Sequence, residues 1–241
     1  MIRVLVGALL AASISAATMA WPSPSGAAPQ SQAEALSPAS AAAVERVRLA
    51  IQQAEADLMR ASTDDAPEAR LIEMGRLDRA ARAALMREPW HLLDPSERSR
   101  ARSQAYRYVR EVDVRNQTAL LALPPPASGW WSPDEVGFEA SSAAFLVIQH
   151  ADLATRQRFL PALEREAMAE RIPGEQFAAM SDRADVELGK PQRFGTQAVC
   201  EAGRFVVAPI SDEESLDERR ARLKMQAFAE FEAQVAAMPP C

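Results

Sequence analysis

Only two cysteines, two histidines, two lysines and one asparagine occur in the sequence. Cys200 and Cys241 are too few for a zinc cluster, and His91 and His150 add little to such a set. Acidic residues outnumber basic ones 33 to 27, and a net charge of −6 leaves no general basic surface for nucleic acid. Nine glycines and 17 prolines exclude a fibrous or low-complexity chain. No phosphate-cradling Gly-rich loop, nucleophile elbow or dinucleotide fingerprint is present. Beyond the N-terminus no apolar run is long enough to interest a membrane. What is there is the composition of a water-soluble globular protein: 241 residues, 48% hydrophobic and 25% charged. The excess of arginine over lysine reads as genomic composition.

Met1-Ile2-Arg3, an apolar run from Val4 to Ala17, and Thr18-Met19-Ala20 before Trp21-Pro22 form a signal-peptide pattern over 1–20. The run of about 14 residues falls short of the ~20 that a spanning helix needs, so an uncleaved anchor is the lesser reading. With no cysteine near the cleavage region, a lipoprotein anchor is excluded. Cleavage is expected after Ala20, with Ala27 as second choice, leaving a flexible leader to residue 36 and a mature chain that is secreted or periplasmic. In an oxidising compartment Cys200 and Cys241 could pair, closing a loop of about 40 residues worth roughly 4 kcal/mol. Against the pairing, Cys241 is the last residue, in a tail (236–241) where chains fray.

From Ser37 the pattern is helical. Ser37-Pro38 offers a cap and a first-turn proline, and Val44, Val47, Ile51, Ala54 and Leu58 form one stripe. A second helix runs from Pro67 through Leu71, Met74, Leu77, Ala81 and Leu85 to Pro89. A third opens on Asp94-Pro95-Ser96-Glu97 and must end before Pro124-Pro125-Pro126. After Trp130-Trp131 and a capping signature at Ser132-Pro133, residues 143–148 are apolar on every side, so their helix is expected to be buried all round. Asp152 caps its successor, in which Pro161 asks for a kink or a late start. Another helix runs from Pro173 to Gly189. Thr196–Cys200 and Arg204–Ala208 then read as a β-hairpin, and Ser215 caps a last helix carrying Leu223, Phe228 and Phe231. The expectation is a mainly α fold: one helical domain over 37–235, about seven helices and one small β-hairpin near the C-terminus.

The order of several short strings adds a resemblance. Ala144–Asp152 contains Gln-His-Ala-Asp; Asp182-Arg183, Gly189–Gln197, Pro209-Ile210 and Asp217–Arg220 follow, with Val112-Asp113, Asn116 and Gly129-Trp130 upstream. Together, over about 68–231, they resemble the bacterial domain-of-unknown-function family 6624. The resemblance implies a soluble, mostly helical, often exported domain and transfers no activity. Relatives usually carry a basic helical stretch ending in a histidine before the Gly-Trp; here Leu120–Leu123, the prolines and Ser128 take those places.

Several polar residues ask for a reason. Asp113 and Asn116 share one helix face, which Arg110 and Gln117 extend, either as a solvated face or as a pocket wall. Gln149 and His150 end the most apolar helix, so they must be hydrogen-bonded or open on a cleft. His150 and Asp152 are about 200° apart on a helix and cannot both face one ion, so no metal and no cofactor is expected. Asp182 and Arg183 could form a structural ion pair, and Gln192, Thr196 and Gln197 supply uncharged groups on a loop that Gly195 shapes. Trp130-Trp131 suits a lid on the core better than a sugar-stacking platform.

Two functions fit. The first is a binding module for an unknown small molecule or protein, its cleft made by Asp113, Asn116, His150, Arg183 and Gln197. The alternative is a hydrolase-type enzyme with a water nucleophile, in which His150 is the general base, Asp113 orients it, and Arg183 or Gln197 stabilises developing negative charge. Both require the side chains of His150, Asp113 and Gln197 to converge.

Overall fold

In the computed structural model of the chain, residues 35–61, 66–124 and 126–238 are described. The expected signal peptide, nearly all of the leader and Cys241, hence the Cys200–Cys241 pairing, lie outside the described residues. Of the described residues, 71% are helical. Helices α1 (Pro38–Ala61), α2 (Pro67–Arg87) and α3 (Pro95–Leu121) each touch the other two. There follow α4 (Pro133–Val136), α5 (Phe138–His150), α6 (Leu153–Met168) and α7 (Gly174–Glu187). The hairpin β1 (Ala198–Glu201) and β2 (Arg204–Val207) precedes α8 (Leu216–Arg222) and α9 (Phe228–Ala236). The mainly α class with one C-terminal hairpin is as the periodicity predicts.

Local chemistry explains the boundaries. The Asp94 carboxylate accepts from the Ser96 N–H at 2.8 Å and starts α3. Glu97 does not close that capping box; it accepts from the Ser37 N–H and from the hydroxyls of Ser37 and Ser40, fastening the start of α1 to the start of α3. In the hairpin, Ala202 and Gly203 both have positive φ, 48° and 81°, the backbone of a two-residue turn that matches strand twist. The helix α6 is capped by Asp152, whose Oδ1 accepts from the Thr155 N–H at 2.7 Å, and it runs through Pro161 with no late start.

Two expectations of single helices change. The capping signature at Ser132-Pro133 starts only the one-turn α4, because Gly137 takes φ 79° and ψ 161° and redirects the chain into α5. The last helix is two. Lys224 turns to φ 56°, and the N–H groups of Lys224 and Met225 return to the carbonyls of Ala221 and Arg220, ending α8 before α9 begins.

Buried apolar side chains form two clusters. One joins α1, α2 and α3 through Val47, Ile51, Ala81, Leu85, Val109 and Val112. The other gathers Leu71 and Met74 of α2 and Leu120 of α3 with α5, α6 and α7, and takes in Trp130 and Trp131. Trp130 meets Trp131 and Phe159 edge-on, Trp131 lies tilted against Phe159, and both tryptophans are buried, so they belong to the core. In α5 nothing from Ala140 to His150 is exposed; Phe145 and Leu146 are half-buried. Its closest neighbour is α2. A Cβ on Gly75 would stand 2.6 Å from the Ala143 Cβ, so this glycine sets the spacing of the two helices. Gly75→Val should lower the unfolding free energy by about 1–3 kcal/mol through overpacking, and Ala143→Gly should recover part of the loss. Urea denaturation reads both. A Gly75→Val protein as stable as its parent would show that the helices are free to separate.

Candidate functional site

Along α2 the inward stripe reads Leu71, Met74, Asp78, Ala81, Leu85, at spacings of 3, 4, 3 and 4. The acidic member stands where a greasy side chain is expected. It lies at the seam between the two apolar clusters, with its side chain only 2% exposed. Burying a carboxylate there demands partners. Two arrive: the His150 ring nitrogen Nδ1 at 2.8 Å from Asp78 Oδ2, and Arg82, one turn along α2, whose Nη1 donates to the same oxygen at 2.8 Å.

His150 reaches this position because α5 ends on it. Ala151 is extended at ψ 176°, and Asp152 already caps α6, so the tip of α5 is directed at α2 while Asp152 is committed elsewhere. A carboxylate only accepts, so Nδ1 carries the hydrogen of this bond and Nε2 of the neutral ring keeps its lone pair. Among the described residues Nε2 takes no hydrogen bond, and the side chain is 15% exposed.

Arg82 also donates through Nη2 to Asp113 Oδ1 at 2.9 Å, tying α3 into the cluster. Burial pushes the Asp113 carboxyl above the usual range, and the Arg82 charge and hydrogen bond pull against it. From α7, Arg183 lies within electrostatic reach of Arg82, Asp113 and Tyr106. Its guanidinium makes no hydrogen bond among the described residues, and its Nε is buried without a partner.

The other residues singled out by the sequence serve the scaffold. Asn116 donates from Nδ2 to the Met74 carbonyl at 3.0 Å, further along the same α2–α3 seam. Gln117 clamps the start of α6, donating to Asp152 and Thr155 and accepting from the Asp152 N–H. Asp182 is fully buried and does not pair with Arg183, its neighbour on a different helix face. Its two oxygens collect the N–H groups of Arg193, Phe194 and Thr196 and the Thr196 hydroxyl, all at 2.8–2.9 Å. Gln192, equally buried, donates to the carbonyls of Gln197 and Ala208 and accepts from the Gln197 N–H. Arg220 donates to the Phe194 and Gln226 carbonyls. The Gln197 side chain donates to the Ala179 carbonyl and to Thr196.

The expected convergence is thus met in part. His150 and Asp113 come together, while Gln197 is held in the loop below the hairpin. Asp78, not Asp113, orients the imidazole. Gln149 Oε1 is buried without a partner among the described residues.

A family of unknown function, DUF6624, matches residues 63–236. The chain belongs to this family. No curated protein and no solved structure matches it. All four residues of the cluster (Asp78, Arg82, Asp113 and His150) fall inside the family's span, whereas α1 precedes it.

In this family member Asp78, Asp113 and His150 each offer one ligand atom, all within 4.8 Å of one another, a set that could hold a metal ion. The place of a cation between the two carboxylates is taken by the Arg82 guanidinium, so an ion would have to displace it from both. The residues missed by sequence reasoning are Asp78 and Arg82. Their signal is an Asp-x-x-x-Arg pair whose aspartate sits on an otherwise apolar stripe.

Proposed function

We propose that the chain is an exported hydrolase-type enzyme in which His150 is the general base. The observation that carries this reading is the 2.8 Å contact between His150 Nδ1 and the buried Asp78 carboxylate. That bond holds the ring in one tautomer and leaves Nε2 to take a proton from water. Arg82, itself bonded to Asp113, donates to the same Asp78 oxygen, so the orienting carboxylate is itself held in place. No serine or cysteine hydrogen-bonds to His150 among the described residues, which leaves water as the nucleophile. Export rests on the N-terminal charge, apolar run and small residues over 1–20.

A binding module is the second reading. A cavity of about 460 Å³ between α1, α2 and α3, lined by Leu58, Met74, Leu77, Asn116 and Ala119 among others, has the size of a small-molecule site.

The test uses chromogenic carboxylic esters, amides and phosphate monoesters with wild type and His150→Ala. Hydrolysis of at least one class should fall by about 10²–10⁴-fold in the variant, with little change in melting temperature. Nitrogen-15 spectra of the imidazole should show the hydrogen on Nδ1. A variant as active as wild type, or a ring with its hydrogen on Nε2, refutes the role of base. Severe loss of stability instead marks His150 as a core residue.

A further inference from the structure

Proton transfer at His150 makes no use of the cavity between α1, α2 and α3. At about 460 Å³ it has the size that takes a small organic molecule. Leu58 of α1, Leu77 of α2 and Ala119 of α3 give it apolar walls. Met74 and Asn116, the most deeply buried of its lining residues, form the floor.

Asn116 donates one amide hydrogen to the Met74 carbonyl at 3.0 Å. Its other amide hydrogen and its Oδ1 have no partner among the described residues. The residue is only 5% exposed and lines the cavity, so the open part of its carboxamide faces that space. One free donor beside one free acceptor is the complement of another amide.

The wall above the floor is charged. Arg70 and Glu73, both half-buried, line the cavity from the first two turns of α2. They stand three residues apart on one helix, yet neither pairs with the other or with any described residue. Glu55, the remaining charge on the wall, is committed to Arg115 at 3.2 Å and ties α1 to α3.

Spacing decides what can satisfy these groups together. Arg70 and Glu73 are about 4.5 Å apart along the helix axis, at 1.5 Å per residue. A two-residue peptide holds its end charges within about 7 Å, with its single amide between them. A free amino acid has the two charges but no amide, and a fatty acid lacks both the amide and the second charge.

We propose that this cavity binds a dipeptide of apolar residues, its carboxylate on Arg70, its ammonium on Glu73 and its peptide unit on Asn116. This ligand class rests on the binding-module reading, and it does not need His150 to be a base.

The experiment is a calorimetric titration of the full chain with leucyl-leucine, which should bind saturably. Free leucine, the N-acetyl amide of the dipeptide, and the ester analogue lacking the peptide N–H should each bind about tenfold more weakly or worse. Arg70→Gln and Glu73→Gln, at positions that hold no bond in the fold, should each weaken leucyl-leucine by about tenfold or more. His150→Ala should bind it within about twofold of wild type. The neutral dye N-phenylnaphthylamine, which fluoresces in apolar surroundings, probes the cavity itself, and Ala119→Trp should fill the space and exclude dye and dipeptide alike. Dye binding that Ala119→Trp abolishes, without leucyl-leucine binding, overturns the dipeptide and leaves the binding module standing. Absence of both kinds of binding sinks the two together. Leucyl-leucine affinity that folded Arg70→Gln and Glu73→Gln proteins leave unchanged, or that the capped analogue matches, also overturns the dipeptide.

Discussion

Asp182→Ala should lower the unfolding free energy by about 3–5 kcal/mol, among the largest effects of any single substitution in this chain. The carboxylate gathers three backbone N–H groups and one hydroxyl from residues 193–196. Each of these donors, left buried and unpaired, costs about 1–3 kcal/mol, and water entering the space recovers part of the sum. The carboxyl is pushed above the usual Asp range by burial, and the four donors work against that push. Asp182→Asn keeps one acceptor oxygen and should lose about half as much. Thr196→Val, which removes the hydroxyl that donates to Asp182 and accepts from Gln197, should cost about 1–2 kcal/mol. Urea midpoints at constant slope measure the series. An Asp182→Ala protein within 1 kcal/mol of wild type would mean that the loop holds its shape without the carboxylate.

Asp78→Asn should reduce the turnover of whatever substrate the chain hydrolyses by about 10²–10⁴-fold. The substitution preserves size and leaves Arg82 bonded to Asp113. What changes is the hydrogen on the ring. An amide at position 78 can present its NH₂ to Nδ1, which then accepts, and the ring hydrogen moves to Nε2, where the lone pair is needed. Imidazole nitrogen-15 shifts should report the exchange of tautomers in the same protein used for kinetics. Undiminished turnover in Asp78→Asn would show that His150 works without an orienting carboxylate, or does not work as a base at all.

Much of the fold is legible because its rules are local. Proline and capping residues at Ser37-Pro38, Asp94-Pro95 and Asp152 mark helix starts, and the change of period after Thr196 marks the hairpin. The misjudged boundaries lie where the backbone takes positive φ, at Gly137 and Lys224. A lysine in that conformation carries no sequence signature, since only the surrounding packing holds it there. The site divides in the same way. His150 stands out because a polar residue at the end of an apolar helix needs an explanation, and Asp113 because aspartate is a poor helix former. Asp78 was hidden by the choice of Leu77 for the α2 stripe, a choice one residue off that places an aspartate outside and a leucine inside. The true stripe, with Met74, Asp78 and Ala81 inward, is distinguishable only once α5 is known to lie against it. Gln192, Thr196 and Gln197 have the chemistry of a binding loop, and nothing in their spacing says that their partners are backbone groups of the same loop.

The polar layer at Asp78 and Asp113 separates two greasy halves that share α2 and α3 as common struts. Molecules that dock at this layer add their affinity to the joint between the halves. Occupancy therefore registers as heat resistance, by RT ln(1 + [L]/Kd) for free ligand L. A metabolite library screened by melting temperature thus has a direct line to the natural ligand, before any chemistry is known.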